Sequence, residues 1–325
     1  LTLVEARSIL RTLVTEDAAM LEPTRRQILG STLAGAALGT TFLGRLRAEE
    51  PVPASAAPKS AVATPALKKA VKYGMIEVAG GVLEHFELAR ECGFAGVELD
   101  SPLEIDRAAV VAASKATGVV VHGVVDSMHW QERFSDPREE IRAKAVATLR
   151  GAIADAKTYG ASTVLVVPGA VRDAEKENFQ QVWDRSRAEI AKCVPDAKAA
   201  DVRIGIEVVW NDFLKTPEDF VRYLDEFEDP TVGAYFDCSN MIKYGVPPAE
   251  WIRRLGSRLI KVDFKGYSNA RGWVAIGEGD EDWPAVMEAL AFVGYSGWFT
   301  AEVARGGREH LLDVSRRMDR ILGRM

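Results

Sequence analysis

The sequence predicts a (β/α)8 barrel over residues 66–325. Three observations predict it. From Leu67 onward, short apolar runs alternate strictly with amphipathic segments. Eight runs and eight helical segments fit into about 260 residues, the usual size of such a barrel. The last four runs each carry one acid at the C-terminal end: Glu207, Asp237, Asp263 and Glu302. An open, doubly wound sheet is the alternative, but no Gly-x-Gly-x-x-Gly follows the first run.

Residues 1–65 read differently and form a separate unit. Thr24-Arg25-Arg26-Gln27-Ile28-Leu29-Gly30 opens a small-residue apolar run, Ser31 to Leu43, and a Pro/Ala/Ser-rich tract follows to Pro65. A basic pair, a weakly apolar run and a spacer predict an export signal resembling the twin-arginine type, with a periplasmic destination. A cytoplasmic enzyme with a Pro/Ala-rich tail is the alternative. The run is too short for a bilayer span, which needs about 20 apolar residues, so no stable membrane anchor is expected.

The first barrel strand is expected at Val71–Ile76, followed by runs at Gly96–Leu99, Gly118–Val125 and Thr163–Val167. The other four are Ile204–Val209, Val232–Phe236, Leu259–Phe264 and Trp298–Val303. Helical segments between them include Val82–Cys92, Pro137–Tyr159, Phe179–Ala200, Pro217–Phe227, Pro248–Leu255 and Trp283–Phe292, with Arg308–Leu322 last. Asp136-Pro137, Thr216-Pro217 and Asp282 are start signals, and Gly93, Gly160 and Gly294 are stop signals.

Composition narrows the function classes. The chain of 325 residues is 47% hydrophobic with a net charge of -6, which gives no electrostatic reason to expect nucleic acid as a partner. Three scattered cysteines make neither a disulfide framework nor a zinc site, and four histidines are too few for a histidine-rich metal cluster.

The chemistry points to the four strand-end acids. They are spaced 30, 26 and 39 residues apart, close to one βα unit each, and barrel active sites sit at the C-terminal ends of strands. On the seventh run Ile260, Val262 and Phe264 alternate with Lys261, Asp263 and Lys265, so the second set faces the barrel interior. Four inward carboxylates raise one another's pKa unless a cation compensates them, and all-oxygen donors favour Mg2+ or Mn2+. His122 is expected at the end of strand three, with His129 beyond it, as substrate contacts or proton donors. Glu98 on strand two is expected to face the cavity, and Trp130, Trp210 and Trp273 are candidates for stacking on a sugar ring. Arg172 is a candidate anion contact. His85 and His310 fall on helices and read as structural.

At these residues the chain resembles the xylose-isomerase-like TIM barrel superfamily, the sugar phosphate isomerase/epimerase group, over about Leu67 to Met325. The resemblance rests on Gly93-Phe94-Ala95-Gly96-Val97-Glu98-Leu99-Asp100, His122-Gly123-Val124-Val125, Ile206-Glu207 and Phe236-Asp237-Cys238-Ser239-Asn240. Further matches are Lys261-Val262-Asp263-Phe264-Lys265-Gly266-Tyr267, Gly277-Glu278-Gly279-Asp280 and Ala301-Glu302-Val303. In the ketose epimerase branch, Glu, Asp, His and Glu hold the metal. Glu207, Asp237 and Glu302 match three of these, while Asp263 replaces the His and Lys265 follows it two residues on. Asn240 stands where the branch often has a second His.

The resemblance implies a divalent-metal-dependent isomerase or epimerase acting on a small sugar or keto-sugar through an enediolate. Glu207 and Glu302 would move protons, and His122, Lys265, Glu98, Trp130 and Asn240 would contact substrate. Three alternatives share the barrel. One is a keto-sugar or inosose dehydratase or lyase. Another is a non-catalytic exported sugar-binding barrel, and the third is an endonuclease-IV-like enzyme, which the scarcity of histidine argues against. Homo-oligomerisation is left open by the sequence.

Overall fold

The computed structural model describes residues 67–173 and 177–324. The expected export segment, residues 1–65, lies outside them. Among the described residues, no helix is long and apolar enough to cross a membrane.

Eight parallel strands close into a barrel. They are β1 Lys68–Lys72, β2 Gly96–Ser101, β3 Val120–Asp126, β4 Thr163–Val166, β5 Arg203–Glu207, β6 Val232–Asp237, β7 Leu259–Phe264 and β8 Trp298–Ala301. Each strand pairs with its sequence neighbours, and β8 closes the ring on β1, with Lys68 opposite Trp298 and Val71 opposite Ala301. A short antiparallel hairpin, Tyr267–Ser268 against Gly272–Trp273, follows β7. The expected (β/α)8 architecture is therefore the observed one.

The outer layer is helical: α1 Val82–Glu91, α2 Arg107–Thr117, α3 Glu139–Tyr159, α4 Phe179–Ala191 and α5 Val194–Ala200, then α6 Pro217–Asp225, α7 Cys238–Ile242, α8 Pro248–Leu255, α9 Trp283–Phe292 and α10 Arg308–Ile321. Local chemistry sets their ends. Thr216 caps α6 through the Asp219 amide, and Pro217 starts it. Asn178 and Gln181 form a capping box on α4. Gly160 ends α3 at φ 74°, a left-handed conformation that costs a glycine little. The expected single helix Phe179–Ala200 is two, because Pro195 has no amide to continue the hydrogen-bond ladder and sits instead in the first turn of α5.

The first strand also differs from expectation. It ends at Lys72, and Tyr73–Met75 turn as a 3-10 segment, so Ile76 makes only an isolated bridge to Gly306. This shift moves Lys72 to the barrel mouth.

The apolar core lies between the strands and the helices, with Phe86, Trp183, Phe220, Trp251, Phe264 and Phe299 fully or nearly fully buried. Inside the barrel the apolar cluster shrinks to Val125, Leu165 and Tyr235. The remaining interior is polar, and two register shifts help to place it. One falls between Val97 and Glu98, where β3 carries His122 as an extra residue. The other falls between Ala234 and Tyr235, where β7 carries Ile260 as the extra residue.

Candidate active site

The site is built in layers along the barrel axis. In the lowest layer the Lys261 ammonium donates to His122 Nδ1 at 2.8 Å and to the His122 carbonyl at 3.0 Å. Accepting at Nδ1 leaves the imidazole hydrogen on Nε2, which faces Thr300 Oγ1 at 3.2 Å. The Trp298 ring stacks on His122 at 4.8 Å and closes the layer from below. Burial drives the Lys261 pKa down to about 7. Burial and the neighbouring Lys261 likewise hold His122 far below the usual histidine range. His122 is thus the third residue of β3, 2% exposed. The expectation that it stands at the strand end is corrected, because β3 runs on to Asp126 through pairs with Leu99, Asp100 and Ser101.

The middle layer joins Glu98, Tyr235 and Asp263, all buried. The Tyr235 hydroxyl lies 2.9 Å from Glu98 Oε1 and 2.8 Å from Asp263 Oδ1. One hydroxyl hydrogen cannot serve both acceptors, so one of the two acids must carry a proton of its own. Burial raises Asp263 well above the ordinary carboxylate range, against the pull of Lys72, which marks it as the protonated partner. Gly123 makes room for this layer: a Cβ there would stand 2.6 Å from Glu98 Oε1.

The upper layer is the ring of acids. Glu207 ends β5, Asp237 ends β6 and Glu302 directly follows β8, and register places Asp237 opposite Asp263. One oxygen from each of Glu207, Asp237, Asp263 and Glu302 can be chosen so that all four lie within 4.8 Å of one another. Asp237 is fixed by its second role as the N-cap of α7, accepting from the Ser239 and Asn240 amides at 2.7 and 2.9 Å. Two lysines thread the ring. Lys265 lies 2.9 Å from Asp237 Oδ2 and 3.1 Å from Glu302 Oε1. Lys72 lies 3.0 Å from Glu302 Oε2, 3.2 Å from Asp263 Oδ2 and 3.3 Å from Glu98 Oε2.

This arrangement separates the two glutamates. Burial raises Glu207 to about 8, and among the described residues the Asn240 side-chain amide donates to it, at 3.4 Å. Burial would raise Glu302 too, but the Lys265 and Lys72 ammoniums outweigh it and hold Glu302 well below the usual carboxylate range. One glutamate therefore rests protonated near neutral pH and its neighbour rests ionised.

The other expected residues fall into two groups. Asn240 and Lys265 join the ring, and Glu98 lies beneath it. Trp130 lies at the rim, 44% exposed, edge-on to His129 at 5.1 Å, and its carbonyl accepts from Arg172. His129 is buried against the Val167 amide, and burial followed by Lys72 lowers it to about 3. Trp210 and Trp273 stack on each other at 4.9 Å.

Sequence reasoning missed Lys72 and Tyr235. Lys72 was hidden by a strand assigned four residues too late. Tyr235 stands two residues before Asp237, and the two-residue period of a strand puts both on the same inner face.

The donor set fits a divalent cation. Four carboxylates converge, and the Oδ2 atoms of Asp237 and Asp263 are buried without a hydrogen-bond donor among the described residues, facing only the lysine ammoniums. Hard oxygen donors suit Mg2+ or Mn2+.

Comparison with known proteins identifies the family and the fold. The family described as xylose isomerase-like TIM barrel matches residues 86–320. An uncharacterized protein of Methanocaldococcus jannaschii, MJ1311, is 25% identical over 231 residues, covering 68% of this chain and 76% of its own. SgbU of Escherichia coli (strain K12), provisionally an L-ribulose-5-phosphate 3-epimerase, is 26% identical over 253 residues, covering 71% and 87%. Among solved structures, an L-ribulose 3-epimerase superposes with a TM-score of 0.67 at 17% identity, covering 79% of this chain and 93% of that one.

Proposed function

The chain belongs to the xylose isomerase-like TIM barrel family, and from that premise we propose that it is a divalent-metal-dependent epimerase or isomerase of keto-sugars. The observation that carries this reading is the ring itself: one carboxylate oxygen from each of Glu207, Asp237, Asp263 and Glu302 lies within 4.8 Å of the others, with the two glutamates delivered by different strands. Epimerisation next to a carbonyl needs one group ready to take a proton and another ready to give one. Glu302 and Glu207 are the two candidates, one directly after the end of β8 and one at the end of β5. The 3-epimerase activity of related proteins supports the same class of chemistry.

Glu207, Asp237 and Glu302, together with Asp263, would hold Mn2+ or Mg2+ as carboxylates, the resting protons of Glu207 and Asp263 being released as the cation enters; when bound, the cation supplies polarisation of the substrate carbonyl and acidifies the neighbouring C–H. Each side chain then has a task. Glu302 accepts the α-hydrogen. In the resting site Lys72 and Lys265 weaken it as a base, and substrate hydroxyls competing for the same ammoniums relieve that restraint. Glu207 returns a proton from the other side of the substrate. Asn240 orients Glu207, and Asp237, tied to two backbone amides, is a fixed anchor. The small-molecule partner is a sugar or keto-sugar.

A lyase or dehydratase would use the same α-proton step and then lose a β-substituent, with Lys265 placed to protonate the leaving group. Product analysis separates the two readings. With Mn2+ and a series of ketoses in D2O, the epimerase reading predicts deuterium at the inverted carbinol carbon and no loss of water. Glu207→Gln and Glu302→Gln should each lower that exchange by about 10²- to 10⁴-fold. Undiminished exchange in either variant would remove that residue from the mechanism.

A further inference from the structure

A cavity of about 570 Å³ opens beside the acids, between the hairpin after β7 and helix α10. Of the four ring acids, only Glu302 lines it, together with Lys265, so the cavity is an annex to the ring. Its remaining inner surface is largely apolar, with Met75, Trp273, Ile276, Val303 and Val314. Trp273 is 54% exposed, yet its ring is backed by Trp210 at 17° and by Tyr267 at 5.2 Å. The Lys265 ammonium also lies over this ring, 5.3 Å from its centroid, and the rest of the indole is open to the annex.

The polar side chains of the annex already have partners. Arg317 donates to Asp313 at 2.5 Å and to the Ile276 carbonyl at 3.3 Å, and it pairs with Glu278 at 2.8 Å. His310 Nε2 meets the Ala304 carbonyl at 2.9 Å. A phosphate entering here would have to break these pairs. An apolar group would displace water without leaving a buried polar atom unpaired. The volume lies in the range of clefts that enclose ligands of drug size, roughly 300–1,000 Å³.

We propose that the annex binds the aglycone of a glycoside, apolar or aromatic, whose sugar ring carries a ketone and reacts at the ring of acids. The assignment rests on the enolisation reading above. A glycosidic carbon is an acetal and does not open, so the carbonyl that acidifies the α-hydrogen must lie on the sugar ring. The substrate class is then a non-phosphorylated ring-ketone glycoside, and the aglycone contributes binding away from the reacting carbon.

The test compares methyl and phenyl glycosides of one ring-ketone sugar with the full chain saturated with Mn2+. The α-hydrogen exchange rate in D2O and calorimetric binding are both read. The phenyl compound should show a KM and a dissociation constant roughly 10- to 100-fold lower than the methyl compound, at similar kcat. Ala304 and Ala275 line the annex on exposed loop positions. Ala304→Trp or Ala275→Trp should abolish the phenyl advantage and leave methyl-glycoside kinetics within about twofold. Equal binding of the two glycosides, or an advantage that survives in both filled variants, would overturn the annex assignment alone. Binding that discriminates normally while no carbonyl compound exchanges its α-hydrogen would overturn the enolisation reading and leave the annex as a binding site.

Discussion

Glu302 rests between two ammonium groups, and Lys72 supplies the one that sequence reasoning did not anticipate. Lys72 faces Glu98, Asp263 and Glu302 within 3.3 Å. Removing one partner from a buried ionic cluster leaves its charges uncompensated, at about 3–5 kcal/mol. Lys72→Met should therefore lower the melting temperature of the metal-free protein, and Mn2+ should raise it by more than in the parent, because the cation takes over part of the compensation. An unchanged melting temperature in the metal-free variant would mean that Lys72 does not carry the charge balance. Asp126 gives a second prediction at this scale. It is fully buried at the end of β3, and burial raises it to about 7. Between about pH 4 and 7 the unfolded chain releases a proton that the folded chain keeps, so the Asp126 contribution to stability falls through that window and levels off above it, while the depressed His122 and His129 act in the opposite direction. The full effect is at most about 4 kcal/mol. Asp126→Asn keeps the acceptor for the Met128 amide, so at pH 8 it should melt higher than the parent, and the parent-minus-variant difference in stability should fall from pH 4 to 7. A parent-minus-variant difference that stays constant or rises from pH 4 to 7 would contradict the assignment.

At the scale of the element, most of the barrel was legible because each strand is a short run rich in apolar residues, and five of the eight end on a polar one. Glu207, Asp237 and Glu302 sit at or just beyond strand ends, as alternation and spacing predict, and Lys261, Asp263 and Lys265 face inward as their alternation with Ile260, Val262 and Phe264 requires. The errors have local causes. Val71 to Ile76 looks like one apolar run, but Tyr73–Met75 turn out of the strand, which hid Lys72. His122 looked terminal because pairing with β2 beyond Gly123 cannot be read from composition, and neither can the extra residue in β3. Gly123 ties that irregularity to the site. Gly123→Ala would place a methyl against Glu98 Oε1 and push the acid out of its bond to Tyr235. The expected cost is about 1–3 kcal/mol, measured by denaturant unfolding, and Glu98→Gln should not reproduce it. An equal loss from Glu98→Gln would place the effect in charge rather than space.

At the scale of the whole molecule, the barrel holds two environments. Outside the strands, the apolar core carries the fold. Inside, a column of charge runs from Lys261 to the acid ring, and the strands deliver its members from every quarter of the circumference. Sequence periodicity reports the outer core well, because helices and strands repeat their apolar positions. It reports the inner column poorly, because contacts such as Lys72 with Asp263, or Tyr235 with Glu98, join residues more than a hundred positions apart and depend on closure of the ring.

The stacked Trp298 and His122 stopper the barrel at its lower end. The acids are then reached from the opposite mouth, and on the proposed reading a substrate filling that mouth and the annex would cover Glu302. If Glu302 takes the α-hydrogen as proposed, that covering keeps the hydrogen from bulk solvent until the substrate leaves, so a reversal of the first step hands the same hydrogen back. In D2O, product should carry nearly a full deuterium from the first turnover, while substrate recovered early should remain almost unlabelled. Substrate and product labelled at equal rates would mean that the covering leaks.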